Sequence, residues 1–356
     1  MALEFLKKFD FKRSKELIGV DIGTTSIKMC VLKNSKEGFT IECIDCKSFD
    51  EDLLSDGCII NNAFLADELK GMVSRNNIKT REAACALSSY SVISKKVAMP
   101  FLREEELESS ISAEVESVIP FPLKDIYYSY YVIGVAEDKQ DMMEVQIVAA
   151  KKEIVDGYMA AFNMAGLNLQ LVDVDIFCLT NLIETAYAPK ESSVVVADIG
   201  ASVTNIAIMK EDRIEFTREI LVGGQYLTSQ IEKSTTLTHQ EAEAMKVGGA
   251  SGDSEISSLF EDFIYNISSE ISKTINFYTS TKTRERIDKV YLTGGTSLLP
   301  GLKATIEDNT KVDVEYIDPF LCVNEGADKL ETYEGFRGSI AVALYLSSRA
   351  VDVIGL

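Results

Sequence analysis

Two turns in this 356-residue chain carry the same short pattern, and the pattern suits the holding of phosphate. The first is Asp21-Ile22-Gly23-Thr24-Thr25, with Lys28 shortly after it; the second is Asp198-Ile199-Gly200-Ala201-Ser202. Glycine lets the backbone turn tightly against a ligand, so Gly23 and Gly200 open room beside a phosphate. The neighbouring N–H groups and the hydroxyls of Thr24, Thr25 and Ser202 can then donate to its oxygens. A carboxylate cannot approach phosphate directly, because like charges repel. Asp21 and Asp198 are suited instead to hold Mg²⁺, mostly through water, with the metal bridging phosphate oxygens. Lys28 is the cation of the first loop.

A third candidate is Thr293-Gly294-Gly295-Thr296, between a strand and a helix, where paired glycines allow close backbone approach near a helix N-terminus. Gly223-Gly224 has the same logic before a helix opening near Gln225. Either pair alone is also ordinary turn chemistry. Glu243 and Lys246 lie three apart on one helical face, placed either to border a ribose and base or to form a solvated ion pair.

The elements around these turns repeat. Leu17 to Asp21 reads as an apolar strand, followed by strands over 27–32 and 40–47, a helix over 63–73 and a strand over 83–87. After Pro189 the same order restarts: a strand over 194–197, the second turn, strands over 203–209 and 213–220, then helices and the strand 289–293. The second aspartate falls 177 residues after the first (198 − 21), about half the chain, which implies a duplicated domain rather than a solenoid. Between the halves, residues 89–166 read as a small α+β subdomain, with strands over 92–99, 127–135 and 145–149. The expected division is an N-terminal arm over 1–16, a first half over 17–88 and 167–190, the insert over 89–166, and a second half over 191–337. A closing helix within 338–356 is expected to pack back on the first half.

Charge and composition exclude several functions. A net charge of −20, from 56 acidic and 36 basic side chains, repels nucleic acid, and no basic patch with interleaved aromatics counters it. The single histidine, His239, is expected on a helix surface and leaves little room for His-dependent triads. Cys43 and Cys46 form a CxxC, but odd spacing along a strand points the two thiols to opposite faces, so a metal or redox pair is not expected. No apolar run approaches the roughly 18 residues that span a bilayer. Leu3, Phe5, Leu6 and Phe9 alternate with Lys7, Lys8, Lys12 and Arg13, which suits a loosely docked arm or a segment that touches an anionic surface.

With those residues on the page, a resemblance becomes specific. Gly19 to Lys28, Ala197 to Ser202, and Leu292 to Ser297 with Pro300-Gly301 resemble the phosphate-1, phosphate-2 and adenosine motifs of the actin and sugar-kinase superfamily. Within it, Glu114 through Ile119-Pro120-Phe121-Pro122, and Ile275-Asn276-Phe277-Tyr278, are similar to stretches of the PilM family of type IV pilus assembly. The resemblance implies an α/β actin-like duplicated ATPase fold, two ribonuclease-H-like halves around a nucleotide cleft, with ATP and Mg²⁺ as ligands. It also implies a cytoplasmic protein, peripheral to the inner membrane, that grips the N-terminal tail of a PilN-like inner-membrane protein beside the insert. Other pilus assembly proteins, including the assembly ATPase, are further implied partners, and self-association is left open. Asp175, before the connecting helix, stands where related ATPases carry the residue that orients the attacking water, and is also suited to cap that helix. Slow or absent hydrolysis is expected. Alternatives of the same fold are an FtsA-like division protein, a type II secretion scaffold and a small-molecule kinase.

Overall fold

The computed structural model describes residues 16–35, 38–136, 139–188, 192–211, 213–249, 254–281 and 286–350. The apolar-basic start and the final residues 351–356 lie outside them.

The first sheet begins with β1 (Ile18–Ile22), which pairs antiparallel with β2 (Ser26–Ser35), and β2 pairs with β3 (Gly38–Ser48). A two-residue ribbon, β4 (Leu54–Ser55) with β5 (Cys58–Ile59), leads to α1 (Asn62–Arg75). The N-cap Asn61 accepts the Phe64 amide at 3.0 Å, satisfying one of the unpaired donors at the helix start. β6 (Glu82–Leu87) then lies parallel to β1 on the side away from β2.

The chain next builds a separate layer from β7 (Val92–Pro100), α2 (Glu104–Val118), β8 (Ile126–Ala136) and β9 (Lys139–Lys151), with strand order β7-β9-β8. Leu107, Ile111 and Val115, four apart on α2, pack with Val145, Ile147 and Ala149 of β9. The alternate residues Val148 and Ala150 point into the large core of the first half. α3 (Lys152–Met164) follows, and here the structure departs from the expected insert of 89–166. Ile154, Val155, Tyr158, Ala161 and Phe162 are buried in the first half's core, and none belongs to the small layer's core. The apolar face of α3 is covered by α1 and β10 (Asn168–Val174), so it works as a first-half helix. β10 pairs parallel with β6, completing the order β10-β6-β1-β2-β3.

After α4 (Asp175–Tyr187) the same connectivity is drawn again. β11 (Ser193–Ile199), β12 (Thr204–Lys210) and β13 (Arg213–Ile220) run antiparallel in succession. Then come α5 (Gly224–Ser234), α6 (His239–Gly248), α7 (Ser254–Thr281), β14 (Lys289–Thr293), α8 (Leu302–Thr310) and β15 (Asp313–Tyr316). The order β13-β12-β11-β14-β15, with β14 and β15 parallel to β11, repeats the first sheet strand for strand. This is the duplicated α/β architecture expected of an actin-like fold. Among the described residues, no helix is long and apolar enough to cross a membrane.

The chain closes with α9 (Ala327–Glu331) and α10 (Ala341–Ser348), and α10 lies on β1 and β2. Gly19 makes that contact close: a Cβ there would stand 2.0 Å from the Ala343 carbonyl oxygen. Ser347 Oγ donates to Leu17 O (2.7 Å) and accepts the Leu32 amide (2.8 Å), tying the helix across both strands. Just beyond, the Arg349 guanidinium donates to Asp173 Oδ2 at 2.6 Å with both side chains buried. Overpacking of this kind typically costs about 1–3 kcal/mol, and more when the obstacle is backbone. Gly19→Ala is therefore expected to lower the urea midpoint by at least about 0.3 M, taking a slope near 3 kcal/mol/M for a chain of this size. An unchanged midpoint would show that α10 can move off the strand freely.

Candidate functional site

The turns that end β1 and β11 face each other across a cavity of about 630 Å³. Asp21, Gly23, Thr24, Thr25 and Lys28 line one side; Asp198, Gly200, Ser202, Gly294, Gly295 and Thr296 line the other. Both turns are closed by the same hydrogen bond. Gly23 N–H donates to Ser26 O (2.9 Å) and Gly200 N–H to Val203 O (3.0 Å). Thr296 Oγ1 donates to Gly200 O (2.9 Å), so its hydroxyl braces the second turn. Gly294 sits at φ +88°, and a Cβ there would fall 2.4 Å from both Asp198 Oδ1 and Ile199 O. Only glycine lets β14 back the second carboxylate so closely.

Gly223 and Gly224 are not among the residues that line the cavity, although Gln225 beside them is. They stand behind the second turn: Gly224 N–H donates to Gly200 O (3.0 Å) and Gln225 N–H to Ala201 O (2.8 Å). Side chains at either position would collide with the Gly200–Ala201 backbone or with Thr296 and Lys246. Glu243 and Lys246 do line the cavity, with the lysine buried and the Glu243 side chain 44% exposed. Lys246 is 7% exposed, its Nζ 2.7 Å from Glu243 Oε2, and Thr228 Oγ1 holds the same oxygen at 2.7 Å. His239 opens α6 at the rim, within hydrogen-bond distance of Glu232 (2.9 Å).

Asp175 reaches the cavity from the first turn of α4. Its Oδ1 accepts the amides of Ile176 (2.6 Å) and Ser89 (2.9 Å), and its Oδ2 accepts Asn205 Nδ2 (3.2 Å). Burial, and then the nearby Asp198 carboxylate, push its pKa up to about 7. Asp198 is raised to about 6 by burial and by Asp21, with Lys28 opposing. Burial works against the Lys28 ammonium, but Asp21 at 3.0 Å outweighs it and raises the lysine's pKa.

Asn205 is the site residue the motif reading missed, although the repeat contained the signal. It falls 177 residues after Lys28 (205 − 28), the offset that relates the two aspartates. Asp21 is the cross-strand partner of Lys28, and Asp198 that of Asn205. Cys43 and Cys46 take opposite faces, Cys43 in the core and Cys46 at the cavity wall.

Asp175 and Asp198, with raised pKa values, share the cavity with Asp21, and its two ammoniums, Lys28 and Lys246, are already paired with Asp21 and Glu243. The donors at its floor are carboxylate oxygens, which suits a hard divalent cation such as Mg²⁺. Among the described residues no three acidic, thiol or imidazole groups converge on one point, so the protein alone does not complete a coordination shell.

Comparison with known proteins agrees with this geometry. The family model described as "Type IV pilus assembly protein PilM" matches residues 19–346. The chain is 25% identical to a solved "PilM-PilN type IV pilus biogenesis complex" chain, with a TM-score of 0.84 over 96% of this chain and 99% of that one. The ethanolamine utilization protein EutJ from Carboxydothermus hydrogenoformans shares the fold at 16% identity (TM-score 0.59, covering 98% and 92%). MreB 5 of Spiroplasma citri, solved with AMPPNP bound, shares it at 14% (0.50; 91% and 97%). Among curated proteins, the cell division protein FtsA of Enterococcus faecalis is 22% identical over 85% of this chain and 78% of its own length.

The raised carboxyls give the ligand-free chain a defined pH response. Asp175 and Asp198 hold protons in the folded state up to about pH 7 and 6, whereas unfolded aspartates lose theirs near pH 4. The folded chain thus binds more protons between those values, and its stability falls as pH rises through the window. Melting temperature in the absence of nucleotide and metal is expected to drop from pH 5.5 to pH 8. The drop should be smaller in Asp175→Asn/Asp198→Asn, which also melts higher at pH 8. Parallel profiles for the two proteins would refute this account.

Proposed function

The chain belongs to the PilM family of type IV pilus assembly proteins, and from that premise we propose that it is an ATP-binding scaffold whose nucleotide cleft controls a partner-binding surface. The observation that carries the reading is the pair of equivalent Asp-Ile-Gly turns facing one cavity from two copies of the same sheet. In this reading Thr24, Thr25, Ser202 and the turn amides cradle the β- and γ-phosphates, and Lys28 meets them with its ammonium. Asp21 and Asp198 hold Mg²⁺ through water. When bound, the metal neutralises charge on the phosphate oxygens and relieves the repulsion among the carboxylates. Lys246 and Glu243 border the ribose, and Val247 and Leu298, both exposed on the cavity wall, offer apolar faces to the adenine.

Asp175 is the candidate for holding an attacking water. Both of its oxygens are already engaged, by two amides and by Asn205, which leaves it little freedom to reach toward a γ-phosphate. Hydrolysis is accordingly slow or absent, and ATP acts as a switching ligand that biases the cleft between two arrangements. The partner proposed is the N-terminal tail of a PilN-like inner-membrane protein, held beside the three-stranded insert layer at the cytoplasmic face of the inner membrane. That layer offers two sheet edges, β7 and β8, and Tyr131, Val132 and Val135 of β8 are exposed. An extended tail can add to such an edge through main-chain hydrogen bonds.

Calorimetry with Mg-ATP tests the site. Asp21→Ala and Asp198→Ala should each weaken binding by about 10–100-fold, the usual loss when a group that orients a metal's shell is removed. Far-UV circular dichroism should stay unchanged. Undiminished affinity in both variants would overturn the assignment. For the scaffold role, a fluorescent PilN-type tail peptide should bind with different affinity in the presence and absence of Mg-ATP, and no binding in either state would reject that partner.

A further inference from the structure

Residues 49–53, between β3 and β4, hang from the first phosphate turn. Phe49 N–H donates to Thr25 O (2.8 Å) and Leu53 N–H to Thr24 O (2.6 Å). From this loop two carboxylates cross to the other half. Asp52 Oδ1 accepts Gln225 Nε2 at 2.7 Å, and Asp50 Oδ2 accepts Gln240 Nε2 at 2.7 Å. The far ends of both contacts belong to the site as well. Gln225 accepts the Ser202 hydroxyl through its amide oxygen, and Gln240 sits on α6 just before Glu243 and Lys246.

We propose that residues 49–53 form a strap across the mouth of the cleft, which must release Gln225 and Gln240 before a nucleoside triphosphate can enter or leave. The strap links the two phosphate turns in one chain of contacts: Thr24 and Thr25, the 49–53 backbone, Asp52, Gln225, Ser202. Its two crossing bonds hold the mouth closed through acceptors fixed on the strap, yet they lie at the exposed rim, where water competes for the same atoms. They share one short anchored loop and open together. An incidental surface contact would not place two carboxylates, two residues apart, on amides from two different helices. A ligand phosphate that takes the Ser202 hydroxyl frees the Gln225 oxygen, so occupancy of the second turn is passed to the strap.

This inference rests on the nucleotide reading of the cleft, and its test separates the two. The full chain is loaded with a fluorescent ATP analogue and Mg²⁺, and release is followed by stopped flow against excess unlabelled ATP. Asp50→Ala/Asp52→Ala is expected to release the nucleotide roughly tenfold faster, the scale of one or two exposed hydrogen bonds to a charged group. Asp50→Asn/Asp52→Asn removes the same charges but keeps amide acceptors, and should stay within about threefold of the parent. Equal release from parent and alanine variant overturns the strap, as does equal acceleration by alanine and asparagine, which would assign the effect to charge. Hydrogen exchange of the Phe49 and Leu53 amides, read without nucleotide, gives a second measure. Faster exchange in the alanine variant supports the strap, and unchanged exchange overturns it. If the parent takes up no nucleotide at all, the nucleotide reading fails, while the exchange data still decide whether the strap closes the mouth.

Discussion

Everything in this molecule is arranged around an electrostatic problem at the line where the two sheets meet. Asp21, Asp175 and Asp198 are brought out of water into one cavity, with Lys28 as the ammonium beside them. Burying like charges together is unfavourable unless a counter-charge arrives. The fold meets part of the cost with the Lys28 pair and with the amides of Ile176 and Ser89. The remainder is left as raised pKa values, a standing demand for a cation.

Duplication explains why the problem is nearly symmetric, and divergence explains why it is not fully so. Both halves repeat the strand order, the turn hydrogen bond and the aspartate. At the cross-strand position, however, the first half has Lys28 and the second has Asn205. Two lysines would have given each aspartate its own ammonium. With asparagine, the second half can instead hold Asp175, a residue from the helix joining the halves, and so connects the site to the element between them.

Much of this was legible from the sequence because local rules governed it. The Asp-Ile-Gly turns, their half-chain offset and the flanking strands follow from glycine chemistry and hydrophobic periodicity. Other features depended on partners far along the chain. The apolar face of α3 looks the same whether it covers the insert or the first half, and only β10, formed later, decides between them. Gly223 and Gly224 carry the signature of close approach, and the protein's own atoms make it: the Gly200–Ala201 backbone at Gly223, the Thr296 and Lys246 side chains at Gly224. Gln225, Gln240, Asp50 and Asp52 are unremarkable polar residues until folding sets them opposite one another.

The contact between α10 and β1 bears on how the protein is made. Gly19 and Leu32 lie in β1 and β2, Leu17 directly before β1, and Ser347 in α10. Domains usually fold in order of synthesis, N-terminal unit first. Here β1 and β2 are covered by a helix more than 300 residues further along the chain, the separation bridged by the Ser347 bonds. The second half, by contrast, encloses its own core of Ile, Phe and Leu side chains within 195–314. The first half is thus completed by a helix that lies beyond the whole of the second half in sequence.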